Sequence, residues 1–435
     1  MVVSLGYSQL PAIRELDSLF TIYDKNGLFF ANVLLKRDGK TFYQGTSGYQ
    51  DLAAGIKNNS QTQMLIGSIT KTYTAVVILQ LVEEGMLQLD DKLAKYYAEI
   101  PNAGRITLEA LLRHRSGLFN YTDSPSFANE VTSFVSKDDV LERFKRLDTL
   151  FTPDTQFRYS NTNYLLLGYI IEKVTGDSYE NQLRKRIIDR LGLKATRYGR
   201  PVDRKSFARS YAYNGTEWIA APIDWNTSWI GGAGAITATA ADLALFFENL
   251  FGGYLISPGS LARMTYLKDD YGLGLMAVPY GEKQFYGHGG HIEHFNSMAA
   301  YNPEDKTMIV NLVNAEKRFP ANDISIQLLN ATYGYPVEYP DLSDRKEVSV
   351  ETAVLKGYEG TYAAPGFPLE IQVFVKEGRL YGQATGQGAF PLTAYSDTNF
   401  EFSQAKIEIN FFEKDGRQAF HFSQGPAKFD FVRKP

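Results

Sequence analysis

The chain has 435 residues, of which 44% are apolar and 22% charged, as in a globular protein with two or three domains of about 150 residues; disordered and collagen-like chains are excluded. The 45 basic and 49 acidic residues give a formal net charge of −4, so no basic surface for nucleic acid is expected. The chain contains no cysteine, which excludes disulfides, thiolate metal ligands and a thiol nucleophile.

The first three quarters of the sequence predict an α+β domain. Apolar residues at three-residue spacing predict a helix over residues 9–19, and strand-like segments at 29–35 and 41–49 flank Asp38-Gly39, a dipeptide suited to a tight hairpin. Strands are predicted again near the end of this domain, so we expect its two ends to share one sheet. The other predicted helices are 68–84, 107–114, 137–147 and 163–174, and the later strands are 272–278, 297–301 and 308–313.

The pattern changes after residue 335. Residues 332–350 carry several Tyr, Pro and Asp residues and show little periodicity, which predicts a linker over 336–350 between a first domain, 1–335, and a second, 351–435. In the second domain apolar residues alternate along the chain, and Glu377-Gly378 and Asp415-Gly416 supply hairpin turns. This pattern predicts a small antiparallel β-barrel or sandwich.

No membrane span is expected, because the longest apolar runs, at residues 74–79 and 164–171, are far shorter than the ~20 residues that cross a bilayer. The first six residues lack the basic segment and the long apolar stretch of a secretory signal. We therefore expect a cytoplasmic protein, or a periplasmic or secreted one if an export signal has been removed.

The first chemical motif is Gly67-Ser68-Ile69-Thr70-Lys71, at the start of a predicted helix. Residues at positions i and i+3 share one face of a helix, so the Lys71 amine can reach the Ser68 hydroxyl. A serine becomes a nucleophile when a neighbour takes its proton, and a lysine can take it when burial or a nearby cation lowers its pKa. The alternative interpretation is a capping serine followed by a solvated lysine.

The second motif, Tyr159-Ser160-Asn161, precedes another predicted helix. A phenol relays a proton if a neighbouring lysine holds it near its ionised state, and the Asn161 amide both donates and accepts hydrogen bonds. The alternative is that Ser160 or Asn161 only caps the helix.

The third motif is Gly287-His288-Gly289-Gly290-His291. Its glycines allow a strand edge to approach a substrate closely, and the amide of the next residue can complete an oxyanion hole with the Ser68 amide. A metal site is the alternative, but adjacent glycines oppose the helix of a His-Glu-x-x-His zinc site, so no metal or other cofactor is expected. The residues that suggest a metal site are His288, His291, Glu293 and His294.

Together the three motifs resemble those of the serine β-lactamase and penicillin-binding protein superfamily, in its class C-like branch. That branch also contains D-alanyl-D-alanine carboxypeptidases, D-aminopeptidases and family VIII esterases. The order Ser-x-x-Lys, Tyr-x-Asn, His-x-Gly fits within residues 10–330, and residues 106–118, 231–243 and 271–275 are similar as well. The resemblance implies an antiparallel sheet with flanking helices and an all-helical half, and the tail is similar to a lipocalin-like β-barrel.

The resemblance also implies roles for the residues of the first two motifs. Ser68 is the acylated nucleophile, Lys71 is the group that activates it, and Tyr159 shuttles protons. Asn161 hydrogen-bonds Lys71 or the substrate amide.

In the third motif, His288 takes the position at which many relatives carry a lysine. The amides of Ser68 and His291 form the oxyanion hole, and Gly290 belongs to the strand that binds the substrate. An unperturbed histidine is mostly neutral at pH 7 and is a weaker anchor for a carboxylate than a lysine.

We therefore expect a serine hydrolase that acts through an acyl-enzyme on ester, amide or D-amino-acid peptide substrates, with weak or no β-lactamase activity. Its expected partner is a small-molecule or short peptide substrate; the sequence leaves the oligomeric state open. Three alternatives stay open: a binding or sensory protein that is acylated once without turnover, a metal-dependent hydrolase, and a carrier whose barrel binds the ligand.

Overall fold

The computed structural model divides the chain into two compact units. The first comprises Met1–Lys317 and Ala321–Glu338, and the second comprises Arg318–Pro320 and Tyr339–Pro435. The structure describes residues 6–221, 224–342, 347–367, 369–385, 388–402, 405, 407–424 and 427–434.

The strands of the first unit occur near its start, in its middle and near its end. They are β1 Phe29–Arg37, β2 Lys40–Ser47, β3 Tyr49–Asp51, β4 Ile56–Lys57, β5 Met64–Leu65, β6 Arg197–Tyr198, β7 Tyr211–Tyr213, β8 Trp218–Ala220, β9 Ile236–Ala238, β10 Met276–Tyr280, β11 Lys283–Ile292, β12 Phe295–Asn302 and β13 Thr307–Glu316. The main sheet has the antiparallel order β10-β11-β12-β13-β1-β2, with β7 paired to β13 and β8 paired to β7, while β3-β4 and β5-β9-β6 form two small sheets.

Twelve α-helices are described in this unit. They are α1 Gly6–Lys25, α2 Thr70–Glu83, α3 Leu108–Leu112, α4 Phe127–Glu130, α5 Lys137–Phe144, α6 Asn161–Thr175, α7 Tyr179–Leu183, α8 Asp189–Leu191, α9 Thr227–Gly234, α10 Ala240–Phe251, α11 Pro258–Thr265 and α12 Asn322–Tyr333. Short 3-10 turns occur at Gly67–Ile69, Leu93–Lys95, Tyr121–Asp123 and Arg204–Ser206, and a π-helical turn at Arg184–Ile188.

Two central elements explain where the core lies. Residues 29–35 of β1 and 307–315 of β13 are buried on both faces, so this part of the sheet needs cover on both sides; α1, α10 and α12 contact these two strands. Helix α2 is buried all round from Thr70 to Leu81, with α6 and α9 packed against it. Helices α6 and α9 can lie close together because Gly232 has no side chain: a Cβ there would come within 2.8 Å of the Tyr164 carbonyl oxygen.

The second unit is a closed antiparallel barrel preceded by a short helix. The helix is α13 Thr352–Gly357, and the strands are β14 Gly360–Ala363, β15 Ile371–Lys376, β16 Arg379–Ala384, β17 Phe390–Ala394, β18 Asn399–Phe402, β19 Ile407–Lys414, β20 Arg417–Gln424 and β21 Ala427–Arg433. Consecutive strands pair, and β14 pairs with β21 to close the ring. Aromatic side chains fill the interior, where Phe420 lies 4.8 Å from Tyr362 and 5.0 Å from Phe431 between ring centroids.

The predicted fold class is confirmed: an α+β unit whose first and last strands share a sheet is followed by a closed β-barrel. The helix expected over residues 68–84 begins at Thr70, after the 3-10 turn. The helix expected over 107–114 ends at Leu112, because His114 has a φ of +55°, outside the helical region.

The described parts of the predicted linker, 336–342 and 347–350, contain no helix or strand, and residues 343–346 lie outside the described residues. Among the described helices, none combines the length and the apolar character needed to cross a bilayer.

The aromatic interior of the barrel gives a stability prediction. Phe420 is fully buried among rings, so Phe420→Ala should lower the free energy of unfolding of the barrel by about 3–5 kcal/mol. Phe374→Ala removes a ring that is only partly buried on β15 and should cost less than half as much. Calorimetric unfolding of the full chain measures both changes, and equal losses for the two variants would contradict this account of the core.

Candidate active site

Ser68 and Lys71 lie where the 3-10 turn Gly67–Ile69 leads into α2. The Lys71 Nζ atom lies 2.9 Å from Ser68 Oγ, which is the contact expected from their i, i+3 spacing. The Lys71 side chain is 0% exposed. The alternative of a capping serine beside a solvated lysine therefore does not describe this site.

The surroundings of Lys71 favour the neutral amine. Its Nζ lies 2.8 Å from Asn161 Oδ1 and 2.8 Å from the Ala233 carbonyl oxygen, two atoms that only accept hydrogen bonds. A neutral amine gives its two hydrogens to these oxygens and turns its lone pair toward the Ser68 hydroxyl. Burial lowers the pKa of Lys71 well below its usual value of 10.5, because the charged form loses its hydration.

Tyr159 contacts the same serine from the loop before α6. Its hydroxyl donates a hydrogen bond to Ser68 Oγ at 2.8 Å, and Lys71 Nζ lies 4.9 Å from the centre of its ring. Burial raises the pKa of Tyr159, so the phenol is neutral at ordinary pH. Tyr159 is therefore a hydrogen-bond donor to Ser68, and its role as a proton shuttle stays a prediction.

Asn161 is the first residue of α6, and its amide is held at both ends. The Nδ2 atom donates to Thr122 Oγ1 at 3.1 Å, which leaves Oδ1 facing Lys71. The backbone N–H of Asn161 donates to Asn120 Oδ1 at 2.9 Å. The sequence predicts that this amide bonds either Lys71 or the substrate, and in the structure it bonds Lys71.

His288 lies on β11 and is 1% exposed. Its Nε2 atom is 3.0 Å from the Tyr271 hydroxyl, and its Nδ1 atom is 2.5 Å from the Gly289 carbonyl oxygen. Both ring nitrogens therefore have partners within the protein. Burial, together with repulsion from Lys71 whenever that amine is protonated, lowers the pKa of His288 to about 3.

Gly290 and His291 bring β11 against the turn that carries Ser68. A Cβ at Gly290 would lie 2.0 Å from the Ile66 carbonyl oxygen, so only glycine allows this approach. The backbone nitrogen of His291 lies 3.0 Å from the position that a Cβ of Gly67 would occupy. The His291 backbone thus adjoins the serine turn, as an oxyanion hole requires, while its side chain is exposed and bonds Asn296 Oδ1 at 2.7 Å.

The four residues that suggested a metal site do not converge. The Glu293 carboxylate contacts the Arg200 guanidinium and accepts from the Trp225 amide at 2.9 Å, while His288 and His291 point to the separate partners given above. Among the described residues, no group of three or more metal-ligating side chains lies close enough to hold an ion.

Three features of the site escaped the sequence analysis. The Ala233 carbonyl oxygen is a backbone group in a glycine-rich stretch and carries no side-chain signal. Tyr271 lies in a stretch that is noted only as similar to the superfamily, whereas His114 is expected from its helix–loop segment to be a packed, hydrogen-bonded histidine; both are buried beside the site. Their aromatic and polar character was visible in the sequence, but their meeting was not.

Comparisons with known proteins show what this chain is similar to. The profile of the family described as Beta-lactamase matches residues 23–333. The chain is 26% identical to Penicillin-binding protein 4* of Bacillus subtilis over 97% of this chain and 98% of that protein. It is 32% identical to a teichoic acid D-alanine hydrolase of Staphylococcus aureus over 62% of this chain and 67% of the relative.

A solved structure gives the same result for the fold. The D-stereospecific amidohydrolase of a Streptomyces species superimposes with a TM-score of 0.61 and is 27% identical, over 70% of this chain and 94% of the amidohydrolase.

The contact between Gly290 and Ile66 gives a test of the site's geometry. Gly290→Ala places a methyl group 2.0 Å from the Ile66 carbonyl oxygen and 2.4 Å from Ser297 Oγ, so it should lower the free energy of unfolding by about 1–3 kcal/mol. Gly289→Ala is the matched control, since its nearest neighbour would be the end of the Met298 side chain at 3.6 Å, and a change within about 0.5 kcal/mol is expected. If thermal unfolding showed both variants to be equally stable, the close approach of β11 would be disproved.

Proposed function

This chain belongs to the beta-lactamase family, and from that premise we propose that it is a serine hydrolase that forms an acyl-enzyme on Ser68. The observation that carries the proposal is the chain of hydrogen bonds from the Tyr159 hydroxyl to Ser68 Oγ and on to the buried Lys71 amine. A serine with a donor on one side and a neutral amine on the other has a route for the proton it must lose.

In the proposed acylation step, Ser68 Oγ attacks the substrate carbonyl carbon while its proton moves to Lys71 Nζ. The carbonyl oxygen becomes an oxyanion, which the backbone N–H groups of Ser68 and His291 stabilise; one such donor contributes about 3 kcal/mol. Tyr159 then protonates the leaving group as the carbonyl–leaving-group bond breaks. The Lys71 ammonium returns a proton to Tyr159 across the oxygen that both contact.

Deacylation repeats these transfers with water as the nucleophile. The water gives one proton to Lys71 by way of Tyr159 and adds to the carbonyl carbon of the ester. Ser68 Oγ then leaves and recovers its proton from Lys71. Asn161 and the Ala233 carbonyl oxygen keep the amine in place throughout, because they take its other two hydrogens. No step requires a cofactor.

We propose esters, amides or short peptides of D-amino acids as substrates, with weak or no activity on β-lactams. Two relatives support this class by name, a teichoic acid D-alanine hydrolase and a D-stereospecific amidohydrolase. The buried His288 supports the low β-lactamase activity, because it stands where many members of the superfamily carry a charged lysine that can attract the carboxylate of a penicillin. We assign hydrolysis to residues 1–335 and an accessory role to the barrel of residues 351–435.

The nucleophile is tested by intact mass spectrometry after treatment with a fluorophosphonate probe, a D-alanine ester and a penicillin. The wild type and the control Ser18→Ala, an exposed serine of α1, should gain one probe adduct, and Ser68→Ala none. The kcat of Ser68→Ala should fall by about 10⁴–10⁶. An adduct that persists on Ser68 without steady product release would instead support an acylated sensor, and an adduct on Ser68→Ala would refute the assignment.

The substrate class is tested by comparing kcat/KM for a D-alanine ester, its L-enantiomer and nitrocefin. We expect the D-ester to exceed nitrocefin by at least about tenfold, a difference of ~1.4 kcal/mol in transition-state binding. Hydrolysis of nitrocefin at the same rate as the activated ester would contradict the proposed preference.

The lowered pKa of Lys71 predicts a pH dependence of stability. An unfolded lysine holds its proton up to a pKa of about 10.4, whereas burial lowers the pKa of folded Lys71. Between the two pKa values the unfolded state binds more protons, so the stability of the wild type falls as the pH is lowered through that window.

Lys71→Met removes this titration and should be more stable than the wild type at pH 7, with a smaller dependence of stability on pH between 7 and 9.5. Urea unfolding measures the slopes. Lys205→Met, at a lysine whose side chain is 88% exposed, is the control and should keep the wild-type slope. Equal slopes for wild type and Lys71→Met would show that the buried amine keeps its proton.

A further inference from the structure

A line of three buried rings joins two of the motif segments, and the reaction proposed above uses none of its hydrogen bonds. His114 Nε2 lies 3.2 Å from the Tyr271 hydroxyl, and the same hydroxyl lies 3.0 Å from His288 Nε2. The three side chains are 0%, 2% and 1% exposed. A phenol with one proton that touches two imidazole nitrogens must donate to one and accept from the other.

The direction of the line is fixed at the His114 end. The backbone N–H of Ser160 lies 3.1 Å from His114 Nδ1, and a backbone N–H only donates. Asn163 Nδ2 approaches the same atom at 3.3 Å, and its orientation is set because Asn163 Oδ1 accepts from Ser116 Oγ at 2.6 Å. His114 Nδ1 is therefore the acceptor, the ring proton is on Nε2, and Nε2 donates to Tyr271.

The His288 end fixes the same direction independently. Nδ1 of His288 faces the carbonyl oxygen of Gly289, which only accepts, so Nδ1 carries the ring proton and Nε2 is left to accept from Tyr271. Tyr164, the other phenol beside Tyr271, is also a hydrogen-bond neighbour of the Tyr271 hydroxyl, and it gives its own proton to the Leu112 carbonyl oxygen at 2.7 Å. The line thus runs from His114 Nε2–H through the Tyr271 hydroxyl to His288 Nε2.

We infer that Tyr271 is a positioning residue that holds His114 and His288 in opposite neutral tautomers and thereby ties the loop of Tyr159 to strand β11. The tautomers follow from hydrogen-bond geometry alone; their consequence for catalysis rests on the proposed function of Ser68.

The two histidines transmit this order to the site. The His114 ring packs on the Tyr159 ring, with 4.1 Å between centroids, and its Nδ1 holds the backbone of Ser160, the residue between Tyr159 and Asn161. His288 bonds the Gly289 carbonyl oxygen on the strand that carries His291. One hydroxyl therefore fixes the proton donor of the site and the strand of the proposed oxyanion hole relative to each other.

The groups around the line keep both imidazoles neutral. Burial lowers the pKa of His114 and of His288. Repulsion from Lys71 in its protonated form lowers both pKa values as well, and repulsion from His288 in its protonated form adds to the effect on His114. The remaining titratable neighbours are the phenols of Tyr159, Tyr164 and Tyr271, and burial raises the pKa of each. His288 consequently presents neither a charge nor a free N–H to a substrate, which favours acyl donors that carry no carboxylate beside the scissile bond.

The tautomers are tested by ¹⁵N NMR of the full chain labelled at its 5 histidines. Single substitutions to Gln at His291, His294 and His421, all exposed, assign the other two rings. We expect His114 with its proton on Nε2 and His288 with its proton on Nδ1, and neither ring should titrate between pH 5 and 8. Detection of a proton on His288 Nε2, or of a charged His288 at pH 6, would overturn the inference whether or not Ser68 is the nucleophile.

The positioning role is tested by Tyr271→Phe. The matched control is Tyr286→Phe, which removes a hydroxyl from strand β11, the strand that carries His288. Tyr271→Phe should mix the tautomers of His288 and lower kcat for a neutral D-alanine ester about tenfold, while KM changes less than twofold, because the reacting groups are misplaced and the substrate is still bound. Tyr286→Phe should change neither the spectrum nor kcat. Wild-type kcat in Tyr271→Phe, or an equal loss in both variants, would refute the positioning role; the tautomers of the wild type test the line even if Tyr271→Phe does not fold.

Discussion

The enclosure of one lysine amine is the constraint on which the rest of this site depends. An amine removed from water loses the hydration that favours its charged form, so the burial of α2 on every side lowers the pKa of Lys71, as its proposed role as the base requires. Enclosure alone would leave its polar atom without partners, a loss of about 1–3 kcal/mol for each unsatisfied group. Asn161 and the Ala233 carbonyl oxygen prevent that loss and at the same time direct the lone pair at Ser68.

Glycines make this enclosure possible by letting backbones approach each other. At Gly290, strand β11 meets the carbonyl oxygen of Ile66 at a distance that excludes any side chain. At Gly232, helix α9 meets the backbone of α6 in the same way, which places Ala233 over Lys71. The reacting groups come from segments separated by many residues along the chain, so their geometry is set by these backbone contacts rather than by flexible side chains.

The contrast between predicted and observed features follows from what a sequence pattern encodes. The pairing of Ser68 with Lys71 could be predicted because the i, i+3 spacing of a helix is local. The alternating apolar residues of the barrel predicted strands for the same reason, since their period of two is written in consecutive positions. The glycine-rich strand β11 has no such period, and its pairing with β10 and β12 became visible only in the sheet. The lowered pKa of Lys71 and the burial of His288 depend on all the elements around them, which no local pattern records.

The histidine on β11 shows how one position can change the electrostatics of a site without changing its nucleophile. A lysine there would add a second cation beside Lys71, and the repulsion between the two charges would lower the pKa of the Lys71 amine as well as attract a substrate carboxylate. With His288 neutral and bonded to Tyr271, burial is the cause that lowers the pKa of Lys71. In the proposed mechanism, activation of the serine is therefore separate from recognition of an anion: the pKa of the proposed base depends on the burial of Lys71, and the choice of substrate depends on groups other than a charge on β11.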